Sequence, residues 1–243
     1  LEEMAQNIYR EWFVHFRYPG HEDVPMVDSE LGQIPQGWEV VPLGQISEKI
    51  TKGTTPTTLG MPFQEQGINF FKVESIDGYG LILEDKLAHI DESTHDALQR
   101  SQLRENDLLF SIAGAIGRVS KIPGRLLPAN TNQALAIIRL TAQQSSGVDY
   151  FFRVLRSDRF LHHSLGRVVQ TAQANVSLGV LNQAPVLLPH GQTLSLFSEY
   201  VFPLEQSQES LIQMNQNLRK TRDLLLPKLI SGQLDVEELD IKV

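Results

Sequence analysis

The chain has 243 residues, 41% of them hydrophobic, with no cysteine and a formal net charge of −8. That is enough apolar content for a proper core plus an extension, and it excludes disulfides and cysteine-based zinc sites. No apolar run approaches the roughly 18 to 20 residues of a membrane span, and "LEEMAQNIYR" has no signal-peptide pattern, so a cytoplasmic protein is expected.

The first residue is not Met and already lies inside a helical pattern, which suggests a chain that begins within an element. Leu1, Met4, Ala5, Ile8, Trp12 and Phe16 fall at helical spacings and predict an amphipathic helix over 1–16. "YPGHEDVPMVDSELGQIPQG" holds Pro19, Pro25 and Pro35 with Gly20, Gly32 and Gly37, which is linker chemistry, and a boundary is placed near Ile34. From Trp38 to Pro189 short strand-like runs follow: "WEVV", "INFFKV", "LLFSI", "RVSKI" and "QALAIIRL", with helical patches near 94–101 and 148–165. Repeated βαβ units are missing, so the expected fold class is mixed α/β with a largely antiparallel sheet.

After "PVLLP" a helical segment runs from roughly 191 to 230. Alternating steps of four and three give a heptad seam: Phe197, Val201, Leu204, Gln208, Leu211, Asn215, Leu218, Arg222, Leu225 and Leu229. Such a helix outruns the cover its own domain can offer. The 1–16 segment is expected to pair with part of it in antiparallel fashion and a second chain with the rest, through Ile8, Trp12, Leu211, Leu218 and Leu225. Pro203 is expected to kink the seam and Pro227 to break it. Three parts result: 1–33 as helix and linker, 34–190 as the globular domain, and 191–243 as coiled-coil helix and tail.

Charge is distributed unevenly. Residues 99–190 carry ten Lys or Arg against four Asp or Glu, while the segments on either side are acidic, so any nucleic-acid surface belongs to the middle of the chain. "NDLLFSIAGAIGRVSK" joins two apolar runs through Gly114 and Gly117 and leaves with Arg118 and Lys121. "ITKGTTPTT" offers Lys52, Thr54 and Thr55 in a turn that can hold a phosphate or simply be a turn. Lys72 and Ser75 close "INFFKVES", and Asn130, Asn132 and Gln133 precede a strand in "ANTNQALAIIRL". "VVQTAQANVSLG" adds Gln170, Gln173 and Asn175. Amides read base edges, but they also make turns.

Catalytic patterns are weak. Asp77, Glu84 and Lys86 imitate a nuclease trio at cramped spacing, and the adjacent His162 and His163 do not share a helix face as metal ligands do. No phosphate-binding GxxxxGK[ST], GxSxG or HExxH occurs. Neither cofactor nor metal is expected.

Six ordered stretches carry a resemblance: "IPQGWEVVPLGQI", "GTTPTT", "LRENDLLFSIAGAIGRVSKIP", "ANTNQALAIIRL", "NVSLGVLNQAPVLLP" and "TRDLLLPKLISGQLDV". In this order the chain resembles the specificity subunits of type I restriction-modification systems, and "AQNIYREWFVHF" resembles the end of that family's central conserved helix. The resemblance implies a DNA-reading α/β target recognition domain on conserved helices that pair as an antiparallel coiled coil and dock the modification subunits, and through them the restriction subunit. It also implies that the subunit itself is non-catalytic. The usual subunit holds two recognition domains and this chain has room for one, which suggests a half subunit, or the second half of a longer protein, able to pair as a homodimer. The DNA-contacting set is then Lys52, Thr54, Thr55, Lys72, Ser75, Arg118, Lys121, Asn130, Asn132, Gln173 and Asn175. The competing reading is a coiled-coil assembly protein whose middle domain binds protein.

Overall fold

The computed structural model describes residues 1–165 and 175–233. The chain opens with helix α1 (Glu2–Tyr9), which passes into a π-helical turn over Arg10–Val14. His15 N donates to Arg10 O at 2.9 Å, a bond spanning five residues, and Phe16 then takes φ 58°. The expected helix over 1–16 is therefore interrupted. The widened turn lets neighbours Trp12 and Phe13 both be buried, where Phe13 packs against Trp38, Tyr150 and Phe197 with ring centroids 5.7, 4.4 and 5.0 Å apart.

The expected linker contains a hairpin, which corrects that reading. Strands β1 (Met26–Ser29) and β2 (Gly32–Pro35) pair antiparallel, and the Ser29 hydroxyl closes the turn by donating to Gly32 O at 2.6 Å. Its prolines and glycines thus bound the strands and their turn.

The remaining strands are β3 (Glu39–Pro42), β4 (Ser47–Lys52), β5 (Ile68–Phe71), β6 (Ala88–Ile90), β7 (Leu108–Ser111), β8 (Val119–Lys121), β9 (Ala129–Thr131), β10 (Leu135–Leu140) and β11 (Pro185–Leu188). The largest sheet has the order β4-β10-β7-β8, all antiparallel. A three-stranded sheet, β6-β5-β9, holds the parallel pair β5–β9, and β11 pairs with β3. Every residue of β7 and β10 is buried, as expected of central strands covered on both faces. Phe71, Leu109, Leu135 and Ile137 belong to the cluster joining the two larger sheets.

Between the strands lie α2 (Glu92–Ala97), α3 (Val148–Arg156), α4 (Asp158–Leu165) and α5 (Leu178–Gln183). Asp91 caps α2 by accepting from Thr94 N at 2.7 Å. The fold class is the expected one: mixed α/β, mostly antiparallel, with a long C-terminal helix.

That helix, α6 (Gly191–Ile230), has 40 residues and extends about 60 Å at 1.5 Å per residue. Pro203 and Pro227 both lie inside it, so the expected break at Pro227 does not occur. By packing, the chain forms two compact units: Tyr9–Ser198, and Leu1–Ile8 together with the chain from Glu199 onward. In the second unit Ala5 and Val201 are buried and Ile8 is half-buried, whereas from Ser210 to Ile230 every residue except Ile212 and Gln216 is exposed. No helix among the described residues is long and apolar enough to cross a membrane.

Candidate nucleic-acid interface

Strand register fixes where the candidate residues lie. In the four-stranded sheet, Lys52 at the end of β4 faces Ala136, Ser111 at the end of β7 faces Leu135, and Val119 at the start of β8 faces Phe110. These strand ends share one edge of the sheet. The parallel pair β5–β9 reaches it too, because Phe71 pairs with Thr131 and the chain then turns through Asn132–Ala134 into β10. Three backbone bonds lace this rim: Gly53 N to Asn132 O at 3.1 Å, Ile112 N to Ala134 O at 2.9 Å, and Val176 N to Ile112 O at 2.9 Å.

Gly53 shows how tight the lacing is. A Cβ there would lie 1.8 Å from Thr131 O, so only glycine lets the "GTTPTT" loop approach the "ANTN" turn. The two loops also meet through side chains, with the Thr55 hydroxyl donating to the Gln133 carboxamide oxygen. Asn132 uses its own Oδ1 to accept from Ala134 N at 3.0 Å, which closes the turn.

The rim gathers Lys52, Thr54, Thr55, Lys72, Arg118, Asn132 and Asn175 from the expected set. Lys52 and Asn175 are exposed. Lys72 is half-buried with its ammonium 4.2 Å from the centre of the Phe63 ring. Arg118 is committed to the fold, since its Nη1 donates to Val73 O at 3.2 Å and Ile76 O at 2.7 Å.

Three members of the expected set sit elsewhere. Lys121 is at the opposite end of β8, facing Leu108, and pairs with the buried carboxylate of Asp149. Ser75 is fully buried, where its hydroxyl donates to Lys72 O at 2.6 Å and accepts from Lys72 N at 3.1 Å. Asn130 is fully buried as well, donating to Leu98 O at 3.2 Å and Ser101 Oγ at 3.1 Å while His95 contacts its Oδ1. Polar groups placed this way satisfy the interior. Gln173 lies outside the described residues.

Two exposed side chains that the sequence reading left out of the set belong at this edge. Arg100 donates from Nη2 to Thr54 Oγ1 at 2.9 Å, which adds one cation beside Lys52; its carbonyl accepts from Lys49 Nζ at 3.3 Å, but Lys49 faces Arg139, toward the other end of β4. Gln133 is the exposed residue of the Asn132–Ala134 turn. Arg100 shows no local pattern of its own and meets the rim through a bond across 46 positions of chain, whereas Gln133, one of the amides of "ANTNQALAIIRL", meets Thr55 across 78.

The weak catalytic patterns dissolve into structure. Asp77 Oδ1 accepts from Tyr79 N and Leu81 N, both at 2.8 Å, and Glu84 pairs with Arg125. Among the described residues no cluster of three His, Asp or Glu could hold a metal.

This edge can grip a phosphate backbone with Lys52 and Arg100 and offer the amides of Asn132, Gln133 and Asn175 to bases. The MjaIX specificity subunit of a type I restriction enzyme of Methanocaldococcus jannaschii is 27% identical over 98% of the chain and 54% of its own length. The HindI specificity subunit of Haemophilus influenzae is 21% identical over 87% of the chain and 45% of its own length. The chain is a homologue of type I specificity subunits. It spans about half the length of the curated specificity subunits it matches. The fold agrees: the crystal structure of the HsdS subunit from Thermoanaerobacter tengcongensis superposes with a TM-score of 0.55 at 15% identity, over 89% of this chain and 54% of that one. No protein-family model matches the chain. Most stretches that carried the resemblance to specificity subunits do internal work, as "ENDLLF" and "AIIRL" supply the buried pair of Asp107 with Arg139.

Proposed function

We propose that this chain is a DNA-reading specificity subunit with no catalysis of its own, which recognises one half of a bipartite duplex target. The observation that supports it best is the convergence of Lys52, Arg100, Thr54, Thr55, Lys72, Asn132 and Gln133 on one edge of a rigid sheet, in a chain whose homologues are specificity subunits. Cations on the rim hold phosphates and fix register, while amides between them face the base edges. The helices α1 and α6 would dock modification subunits and, through them, the restriction subunit. A second copy of the chain along the open seam of α6 would supply the other half-site, related by a two-fold axis.

The test is duplex binding by the full chain, alone and with its modification subunit, as a function of salt. Phosphate contacts release counterions, so affinity should fall linearly in log–log form with one unit of slope for about each contact. Binding to a protein target with no duplex affinity at any salt would favour the competing reading of an assembly protein. Methylation or cleavage by the chain alone would refute the non-catalytic role.

A further inference from the structure

We propose that Gln133 reads a base edge that carries acceptors only, guanine before thymine, and that Thr55 sets this choice by engaging the carboxamide oxygen. The inference rests on the DNA-reading function proposed above and names the chemistry of one contact within it.

The turn that carries Gln133 is held on both sides. Asn132 O accepts from Gly53 N at 3.1 Å, Asn132 Oδ1 accepts from Ala134 N at 3.0 Å, and Ala134 O accepts from Ile112 N at 2.9 Å. Of its three residues Asn132 and Ala134 are half-buried and Gln133 is exposed. The backbone is fixed by these bonds and the end of the side chain by its bond to Thr55, and base recognition requires both.

A free glutamine displays an oxygen acceptor and an amino donor side by side, and that pair matches the N6 amino group and N7 of adenine. Here the Thr55 hydroxyl donates to the oxygen. With one of the oxygen's two lone pairs taken, the carboxamide turned toward Thr55 has the Nε2 amino group with its two hydrogens as its main offer to a ligand. Guanine offers N7 and O6, two adjacent acceptors, and thymine offers O4. Adenine would set its own N6 amino donor against the amide donor, and cytosine offers only its N4 donor. Thr55 is thus a positioning residue and Gln133 the contacting one. Arg100, bonded to the neighbouring Thr54, is placed to take the adjoining phosphate.

The experiment is selection from a pool of duplexes with randomised positions, using the full chain together with its modification subunit. The wild-type site should contain one position at which guanine is preferred, and replacing that guanine by 7-deazaguanine should weaken binding roughly tenfold. Thr55→Val frees the oxygen and should move the preference at that position to adenine, with Thr55→Ala as a second variant. Gln133→Glu turns donors into acceptors and should move it to cytosine, by roughly tenfold to a hundredfold. All three variants should keep the wild-type urea unfolding midpoint, which reports an intact fold; Gln133→Glu adds a carboxylate to the rim and should weaken binding to random duplex, so its preference is read as a ratio between bases at that position. If the variants select the wild-type site at every position, or if the wild-type chain prefers cytosine where Gln133 acts, the assignment is wrong while the DNA-reading function stands. If the wild-type complex selects no sequence at all, both are wrong.

Discussion

Arg139 of β10 grips Asp107, just before β7, at two points: guanidinium Nε and Nη2 each lie 2.7 Å from a carboxylate oxygen. Asp107 also accepts from Arg104 N at 2.7 Å, so one carboxylate anchors both a strand and the turn that leads into its neighbour. Both side chains are buried, and the hydrogen bonding to Asp107 raises the guanidinium further above its ordinary range. Removing one partner leaves the other charge stranded, which costs about 3–5 kcal/mol. Asp107→Ala should lose about that much in urea unfolding, whereas Asp107→Leu combined with Arg139→Met should lose much less. A double variant as weak as the single one would show that the pair's geometry itself holds the strands.

Two lysines flank the same sheet and should behave differently. Lys52 ends β4 on the rim and is exposed, so Lys52→Ala should reduce duplex affinity equally for all sequences and lower the salt slope by about one, with unfolding unchanged. Lys121 lies at the far end of β8 against Asp149, so Lys121→Ala should lower stability and leave the salt slope alone. Salt-titrated binding and urea midpoints on both variants separate the roles. A smaller slope for Lys121→Ala would return that residue to the interface.

The strands were legible because period and composition are local. "LLFSI" and "QALAIIRL" became β7 and β10, and the heptad count marked α6 to within a residue or two. Site residues were legible only in part, since a polar residue in a loop reads the same whether it faces water or the interior. Asn130 and Asn132 stand two apart in "ANTN", yet the first lies within β9, buried against α2, and the second falls past the end of that strand in the rim turn. Arg118 and Lys121 looked like a basic pair, and the length of β8 carried them to opposite ends of the sheet. The hairpin β1–β2 was missed because its four turn residues, Asp28, Ser29, Gly32 and Pro35, match its four apolar ones in number and break any alternation.

Alkaline pH should reveal the aromatic core. Tyr9 sits between Phe13 and Tyr150 with ring centroids 5.7 and 6.0 Å away, and burial pushes its hydroxyl up to about 12, opposed by a hydrogen bond with Ser157. A phenol that ionises near 10 in the unfolded chain and about 12 in the fold holds its proton more tightly when folded. Its contribution is intact below about pH 10 and is lost as pH rises toward 12, roughly 2–3 kcal/mol over that interval. Burial raises Tyr150 in the same direction, and its hydroxyl donates to Leu187 O at 2.7 Å. Urea midpoints should therefore fall between pH 9.5 and 11.5 (about two pH units), and Tyr9→Phe should flatten that fall. An unaltered slope in the variant would assign the transition to Tyr150 alone.

The open seam of α6 leads to the last prediction. Leu211, Leu218 and Leu225 follow one another at heptad spacing and are 51%, 66% and 40% exposed. The α1 helix is about 12 Å long for its eight residues, far too short to line a helix of about 60 Å. Burying each leucine against a second helix is worth roughly 1.5–3 kcal/mol, and ordering and association costs oppose that gain. Asn215 and Arg222 interrupt the seam at core positions, where polar residues set register and orientation at some cost in stability. Sedimentation of the full chain at tens of micromolar should show a dimer. Leu218→Glu should dissociate it without altering the urea midpoint of the Tyr9–Ser198 unit, which shares none of the seam beyond Phe197. Asn215→Leu should tighten association while allowing more than one register, visible as heterogeneous crosslinks between cysteines introduced at position 211. A wild-type chain that stays monomeric under these conditions would mean that the seam is covered by a different protein, and the half-site pairing proposed for two copies would have to be given up.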